Sequence, residues 1–518
     1  MKRFSFLLWL CPLVFAICSF EGSKKGLPPA KITASAHAPF IPILKGLDAN
    51  PAVRIAVSIP SGNSEQRYRK LTCSLNKFDD IEKIDVYLTG AEPFSTKSLI
   101  TSYKPMSLSF DIPVTLNFDP GVQFIWLSVV LKSNASLNGT IDLHCRQIID
   151  AQGKGLMVKE DQSAYAKRIG VAIRKAGDEG VHTFRIPGIV QTDKGTLIAV
   201  YDIRYNNSSD LPGYINIGMS RSTDLGQTWE PMKVIMSMGG PGENSGVGDP
   251  TILFDQRTKK LWVAALWSKG NRSIAGSKGG LSPDSTGQFL LVNSSDDGTT
   301  WSPAINITEQ IKIPSWKILF QGPGAGIVMN DGKLVFPAQY WDASNVPYST
   351  IVYSEDHGAT WKGKITGPKS NTTESQVVET QPGTLMLNMR DNRGAFRSIA
   401  TTNDMGRSWT EHSTSYQSLP DPVCMGSIIK ASVNVKGKTQ EVLFFSNPAT
   451  TSGRYNITVK ASLDLGQTWV SKNQLLIDER NCYGYSCLTK IDDHTIGILY
   501  EGVRDLYFVK VPIRELIK

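Results

Sequence analysis

The sequence predicts an all-β protein, a six-bladed β-propeller preceded by a β-sandwich domain. Three observations predict it. A phrase, Ser-x-Asp-x-Gly-x-Thr-Trp, recurs from residue 222 onwards. Its copies stand tens of residues apart, the signature of a repeat architecture. Around them lie short β-rich runs, 195–201, 260–266 and 333–336, punctuated by Gly, Asn, Asp and Pro, as four-stranded blades require.

In chain order, residues 1–19 read as an export signal: Lys2 and Arg3, an apolar run over 4–17, then small residues. That run is short for a membrane span and sits where a removed signal peptide would. Cys18 would offer a lipid anchor in an outer membrane, but Ile17 stands where a small residue is expected. Secreted, periplasmic and lipid-anchored destinations stay open, and no other segment is long and apolar enough to span a bilayer. Residues 28–155 carry no copy of the phrase and show alternating or apolar runs at 84–88 and 124–131, which fit a β-sandwich. The polar stretch 150–168 reads as a linker.

Residues 165–518 form the propeller. The phrase glycines Gly226, Gly298, Gly358, Gly406 and Gly466 are separated by 72, 60, 48 and 60 residues. A period near 60 across this segment gives six blades, one of which lacks the turn. Within each copy the Asp carboxylate accepts backbone N–H bonds, Gly takes a positive φ without a Cβ clash, and Trp anchors the next strand. These aspartates are therefore read as structural, and their spacing lacks the acidic density of a calcium loop.

The net charge of +8 is spread over 518 residues without a long basic run, which argues against nucleic acid as a partner. Five cysteines follow the signal and none has zinc-ligand spacing. Cys73 with Cys145 reads either as a disulfide of an exported domain or as two buried thiols.

The chemistry lies off the repeat. Phe184-Arg185-Ile186-Pro187 opens the propeller, followed by Tyr201-Asp202-Ile203-Arg204 and Asp210. Then come Thr373-Glu374-Ser375-Gln376, Asn388-Met389-Arg390, Arg454, Gly484-Tyr485-Ser486 and Tyr500-Glu501. Together with the repeats, these landmarks closely resemble the exo-α-sialidase (neuraminidase) family, in its secreted bacterial type with Asp-box repeats. The resemblance covers about residues 165–518. It implies that Arg185, Arg390 and Arg454 grip a substrate carboxylate, Asp210 is the acid/base, Tyr485 the nucleophile and Glu374 its partner. It further implies that Arg204 lies near the sugar 4-hydroxyl and that Glu501 orients Arg185. Asp249, before Pro250, is a further candidate for the pocket lining.

That set suits sialic acid, whose anomeric carbon carries a carboxylate. Guanidiniums bind such a planar anion with charge-assisted, partly bidentate bonds. The same carboxylate would repel an acidic nucleophile, whereas a neutral tyrosine activated by glutamate avoids the conflict; sialidases are a recognised exception among glycosidases for this reason. Rivals exist at several positions: Arg480 for Arg454, Tyr483 for Tyr485, Glu379 for Glu374 and Asp202 for Asp210. The expected activity is retaining hydrolysis of terminal sialic acid from sialylated glycans by a monomer that needs no metal or organic cofactor. Transfer to another sugar, intramolecular closure to an anhydro sugar, and a non-catalytic sialic-acid-binding propeller are the alternatives. In that setting the N-terminal domain reads either as a carbohydrate-binding module or as a spacer.

Overall fold

A computed structural model describes residues 31–161 and 166–518. The expected export signal with Cys18, and the expected first propeller residue Tyr165, lie outside the described residues.

The chain forms a six-bladed propeller behind an N-terminal β domain. Blade 1 contains Thr183–Gln191, Leu197–Arg204, Ile215–Ser222 and Lys233–Met236 in hydrogen-bonded order. Blade 2 opens with Gly246–Asp255, blade 4 with Thr372–Gln381, blade 5 with Ser427–Val435 and blade 6 with Ser486–Asp492. Each of these inner strands begins at one end of the central axis, and each second strand returns to it. In blade 3 the inner strand is broken into Ile318–Gln321 and Ile327–Val328, because Gly324–Ala325 between them leaves to pair with blade 2. Glycine permits this crowding: a Cβ on Gly188 of blade 1 would lie 2.4 Å from Gly324 O.

The recurring phrases are the turns between third and fourth strands. In the first, Ser222 Oγ donates to Asp224 Oδ1 (2.8 Å) and accepts from Gly226 N (2.8 Å). Thr228 donates its N–H to Asp224 Oδ1 (2.9 Å) and its hydroxyl to Oδ2 (2.6 Å). The positive φ expected at Gly226 (85°) is shared by Leu225 (57°), and the fourth position behaves alike in every copy. Blade 6 explains the missing sixth turn. Its first three strands end at Leu506–Pro512, and its fourth, Lys167–Arg174, comes from before blade 1. No turn joins them, so no phrase is needed there, and the pairing closes the ring.

The N-terminal domain is a nine-stranded hydrogen-bonded path that folds back on itself. Tyr103 on one edge strand stacks on Phe110 of the other, 5.2 Å between ring centroids, and both halves share one apolar core. The linker expected over 150–168 is corrected in part. Gly155–Glu160 is a strand, parallel to Thr33–His37 and antiparallel to Leu143–Asp150, because Val158 alternates inward onto the core. Cys73 and Cys145 face each other across neighbouring strands as free, buried thiols. The domain grips the propeller at the first phrase: Gln227 Nε2 donates to Ala135 O (2.6 Å) and its Oε1 accepts from Leu137 N (3.0 Å). Among the described residues no helix is long and apolar enough to cross a membrane.

Candidate active site

The expected site residues come from five blades and converge at the end of the axis where inner strands begin. Arg185 stands at the start of blade 1's inner strand, just before a bulge at which Ile186 takes φ 57°. A β-branched residue in that region is strained, and such bulges re-aim side chains near functional sites. Asp249 sits in an equivalent bulge of blade 2, at φ 59°. Arg204 and Glu501 end the second strands of blades 1 and 6, Glu374 and Arg390 lie on blade 4, and Arg454 is in a loop of blade 5.

Tyr485 is the focus. Its hydroxyl donates to Glu374 Oε1 at 2.5 Å and accepts from Arg390 Nη1 at 3.0 Å. Arg390 Nη1 also donates to Glu374 Oε2 at 2.6 Å. The Arg185 and Arg454 guanidiniums lie 5.3 and 5.7 Å from the centre of the Tyr485 ring. Gly484 makes that loop fit, since a Cβ there would meet Cys424 Sγ at 2.9 Å and Arg454 Cδ at 3.1 Å. Beneath the ring pack Ile186, Cys424 and Met425. Burial, reinforced by Glu374, pushes the phenol well above its ordinary pKa despite the nearby arginines, so the resting hydroxyl is neutral.

Glu501 is fully buried and takes three donors: Arg185 Nε (3.1 Å), Ile186 N (2.9 Å) and Tyr485 N (2.9 Å). One carboxylate thus fixes a guanidinium and the backbone beneath Tyr485. Tyr483, the rival to Tyr485, carries Arg185 over its ring at 4.8 Å.

Asp210 rises from a loop of blade 1 with its side chain 76% exposed. It accepts from Arg204 Nη1 (2.7 Å) and Arg185 Nη1 (3.4 Å). Partial burial pushes its carboxyl up, but Arg204 and Arg185 outweigh that and hold it below the usual value. Asp202 braces Arg204 through Nε (3.1 Å) and Nη2 (2.9 Å) and takes Asp249 N (2.8 Å). Burial, then repulsion from Asp202 and Asp210, drives Asp249 well above the ordinary carboxylate range. The rivals Glu379 and Arg480 stand elsewhere. Glu379 caps Asn330 N and Gly383 N at 2.8 Å each, and Arg480 pairs with Asp478 at 2.5 Å and covers Tyr507.

The sequence reading passed over two contributors. Gln321 donates to Asp249 O at 2.5 Å, and Arg397, buried behind Arg390, bonds Asn388 and Cys424 O. Neither carries a local pattern; both are single polar residues beside apolar runs. Among the described residues no His, Cys, Asp and Glu cluster could hold a metal ion.

Comparison with known proteins identifies relatives of both parts of the chain. Residues 186–481 match the BNR repeat-like domain, and residues 31–154 the N-terminal domain of BNR-repeat neuraminidase. A sialidase of Bacteroides fragilis is 48% identical over 409 residues, covering 77% of this chain and 75% of its own. A sialidase of Micromonospora viridifaciens is 33% identical over 63% of this chain and 52% of its own. The solved structure of a Hadza microbial sialidase, Hz136, superposes with a TM-score of 0.86 at 38% identity, over 93% of this chain and 100% of that one.

Proposed function

The chain belongs to the BNR-repeat neuraminidases, the exo-α-sialidase family of glycoside hydrolases, and we propose that it releases terminal sialic acid with retained configuration through a tyrosyl intermediate. One observation carries the reading: three guanidiniums from three blades surround a tyrosine whose hydroxyl donates to a glutamate at 2.5 Å.

Arg185, Arg390 and Arg454 hold the sugar carboxylate, which sets the anomeric carbon over the Tyr485 hydroxyl. Bringing that carboxylate in relieves Asp210 of part of Arg185's pull and adds a negative charge nearby. Both changes raise Asp210 from its low resting pKa towards a protonated acid. In the first step Tyr485 Oη bonds to the anomeric carbon and its proton passes to Glu374. The bond to the leaving oxygen breaks as Asp210 supplies that oxygen's proton. In the second step Asp210 takes a proton from water, which attacks the anomeric carbon. The tyrosine oxygen departs and recovers its proton from Glu374. Two inversions give net retention. Arg204, Asp249 and Asp202 form the polar wall beside Asp210, where a sugar hydroxyl would bind.

Proton NMR of the first sialic acid released tests the stereochemistry. The α anomer appearing before mutarotation supports the proposal, and the β anomer first rejects it. An anhydro or transferred sugar in place of free sialic acid would favour a transferase. The proposal includes export through the amino-terminal segment and glycan binding by the N-terminal domain. Tight binding of a sialylated glycan by the Tyr485→Phe chain, abolished by competing free sialic acid, would leave that domain as a spacer.

A further inference from the structure

Arg397 is 0% exposed, a setting in which a guanidinium is tolerated only with its hydrogen bonds filled. Its Nε donates to Asn388 Oδ1 (2.7 Å), Nη2 to Asn388 O (3.1 Å) and Nη1 to Cys424 O (2.5 Å). Asp421 Oδ2 lies 3.6 Å from Nη1. Asp421 also accepts from Cys424 N (2.8 Å) and from Asn447 Nδ2 (3.1 Å). Buried Lys460 closes the chain by donating to Asn447 Oδ1 at 3.0 Å.

Two points of this network, Asn388 and Cys424, reach towards the site. Asn388 stands two residues before Arg390 on Thr384–Asp391. Cys424 follows Val423, whose carbonyl accepts from Arg454 Nη2 at 3.1 Å. Val423 has φ 58°, an unfavourable conformation for a β-branched residue that persists only where its surroundings impose it. Next to it both polar groups of the Cys424 backbone are held, N–H donating to Asp421 Oδ1 and the carbonyl accepting from Arg397 Nη1.

We infer that Arg397 is a positioning residue for recognition of the substrate carboxylate, setting Arg390 through Asn388 and Arg454 through the strained Val423 peptide. This rests on the reading of Arg390 and Arg454 as carboxylate ligands. Arg397 itself touches no substrate. A guanidinium that merely glued blades 4 and 5 together would support stability without affecting what the site recognises.

The test compares wild type, Arg397→Lys, Val423→Gly and Arg454→Ala. Each is measured for thermal unfolding, kcat and KM on an aryl α-sialoside, and inhibition by 2,3-dehydro sialic acid and by its uncharged methyl ester. Losing the alignment of one charge-assisted hydrogen bond is worth about tenfold or more. Arg397→Lys is expected to weaken inhibition by the acid about tenfold and to raise KM, while inhibition by the ester changes less than twofold. Val423→Gly frees the peptide without opening a core cavity; it should unfold no earlier than wild type and still weaken the acid severalfold. Equal weakening of acid and ester, or a lowered unfolding temperature with unchanged inhibition constants, overturns the inference. If Arg397→Lys does not fold, Val423→Gly decides alone, and unchanged inhibition by the acid overturns the inference. Failure of Arg454→Ala to weaken the acid would instead refute the carboxylate-ligand reading.

Discussion

Replacing Glu501 by Gln tests the geometry at its most constrained point. The carboxylate is fully buried, with Arg185 Nε and Ile186 N on one oxygen and Tyr485 N on the other. Glutamine keeps the shape, but its amide offers one oxygen and one NH2 group. If the oxygen faces Arg185, the NH2 faces the Tyr485 N–H, and a buried donor loses its partner at about 1–3 kcal/mol. The charge-assisted bond to Arg185 weakens as well, so the total is about 3–5 kcal/mol, as for breaking a buried pair. With an unfolding entropy of about 2.1 cal/mol/K per residue over the 353 described residues from 166 to 518, the unfolding temperature falls by about 4–7 °C. Calorimetry measures that shift. Because Arg185 and the Tyr485 backbone both loosen, kcat/KM also falls at least about tenfold, or 1.4 kcal/mol. A Glu501→Gln/Arg185→Ala double variant loses less activity than the two single losses combined, since both act on one guanidinium. An unfolding temperature within 1 °C of wild type and kcat/KM within twofold would refute the reasoning.

Asp210→Ala is expected to lower turnover of a galactose-linked sialoside by about 10²–10⁴-fold and of a nitrophenyl sialoside far less, because the better leaving group needs little proton assistance; equal losses on both substrates would remove the acid role. Because Arg204 and Arg185 hold Asp210 low in the free enzyme and a bound carboxylate offsets Arg185, the alkaline limb of kcat should lie at higher pH than that of kcat/KM, and coincident limbs would contradict this. Asp296, held down to about 2 by its bonds from Thr300 and Ser294, stabilises the folded state above the unfolded value near 4, and that stability is lost as pH falls towards 2. As the group is exposed, screening limits the effect to at most about 1 kcal/mol. Asp296→Asn should therefore unfold slightly earlier than wild type at pH 6 and by a smaller margin at pH 2.5, and a difference undiminished at pH 2.5 would assign the effect to shape instead of charge.

The blade count was legible because each turn must satisfy its own backbone locally, and Ser, Asp, Gly and Thr at fixed offsets do so. Closure of the ring was not legible. The strand Lys167–Arg174 joins Leu506–Pro512 across the whole propeller, and no local pattern encodes such a pairing. The strand Gly155–Glu160 was missed because its residues are partly exposed and polar and commit inward mainly through Val158. For the site, sequence pattern alone did not single out Arg185 or Glu374. The resemblance did, and the fold brings these distant residues close: Arg185 and Glu374 lie near the starts of inner strands, and Arg204 and Glu501 end second strands. Arg397 escaped notice because its partners, Asn388, Asp421 and the Cys424 carbonyl, come from separate strands and turns.

The tyrosyl intermediate is most directly tested by trapping it. A sialic acid bearing fluorine at both the anomeric and the neighbouring carbon supplies a good leaving group while slowing hydrolysis of the product. Intact mass spectrometry followed by peptide mapping then locates the adduct. One sialyl adduct per chain is expected, on Tyr485 and absent from Tyr485→Phe. An adduct on Glu374 or Asp210, or turnover with no adduct in the wild type and undiminished activity in Tyr485→Phe, would contradict it.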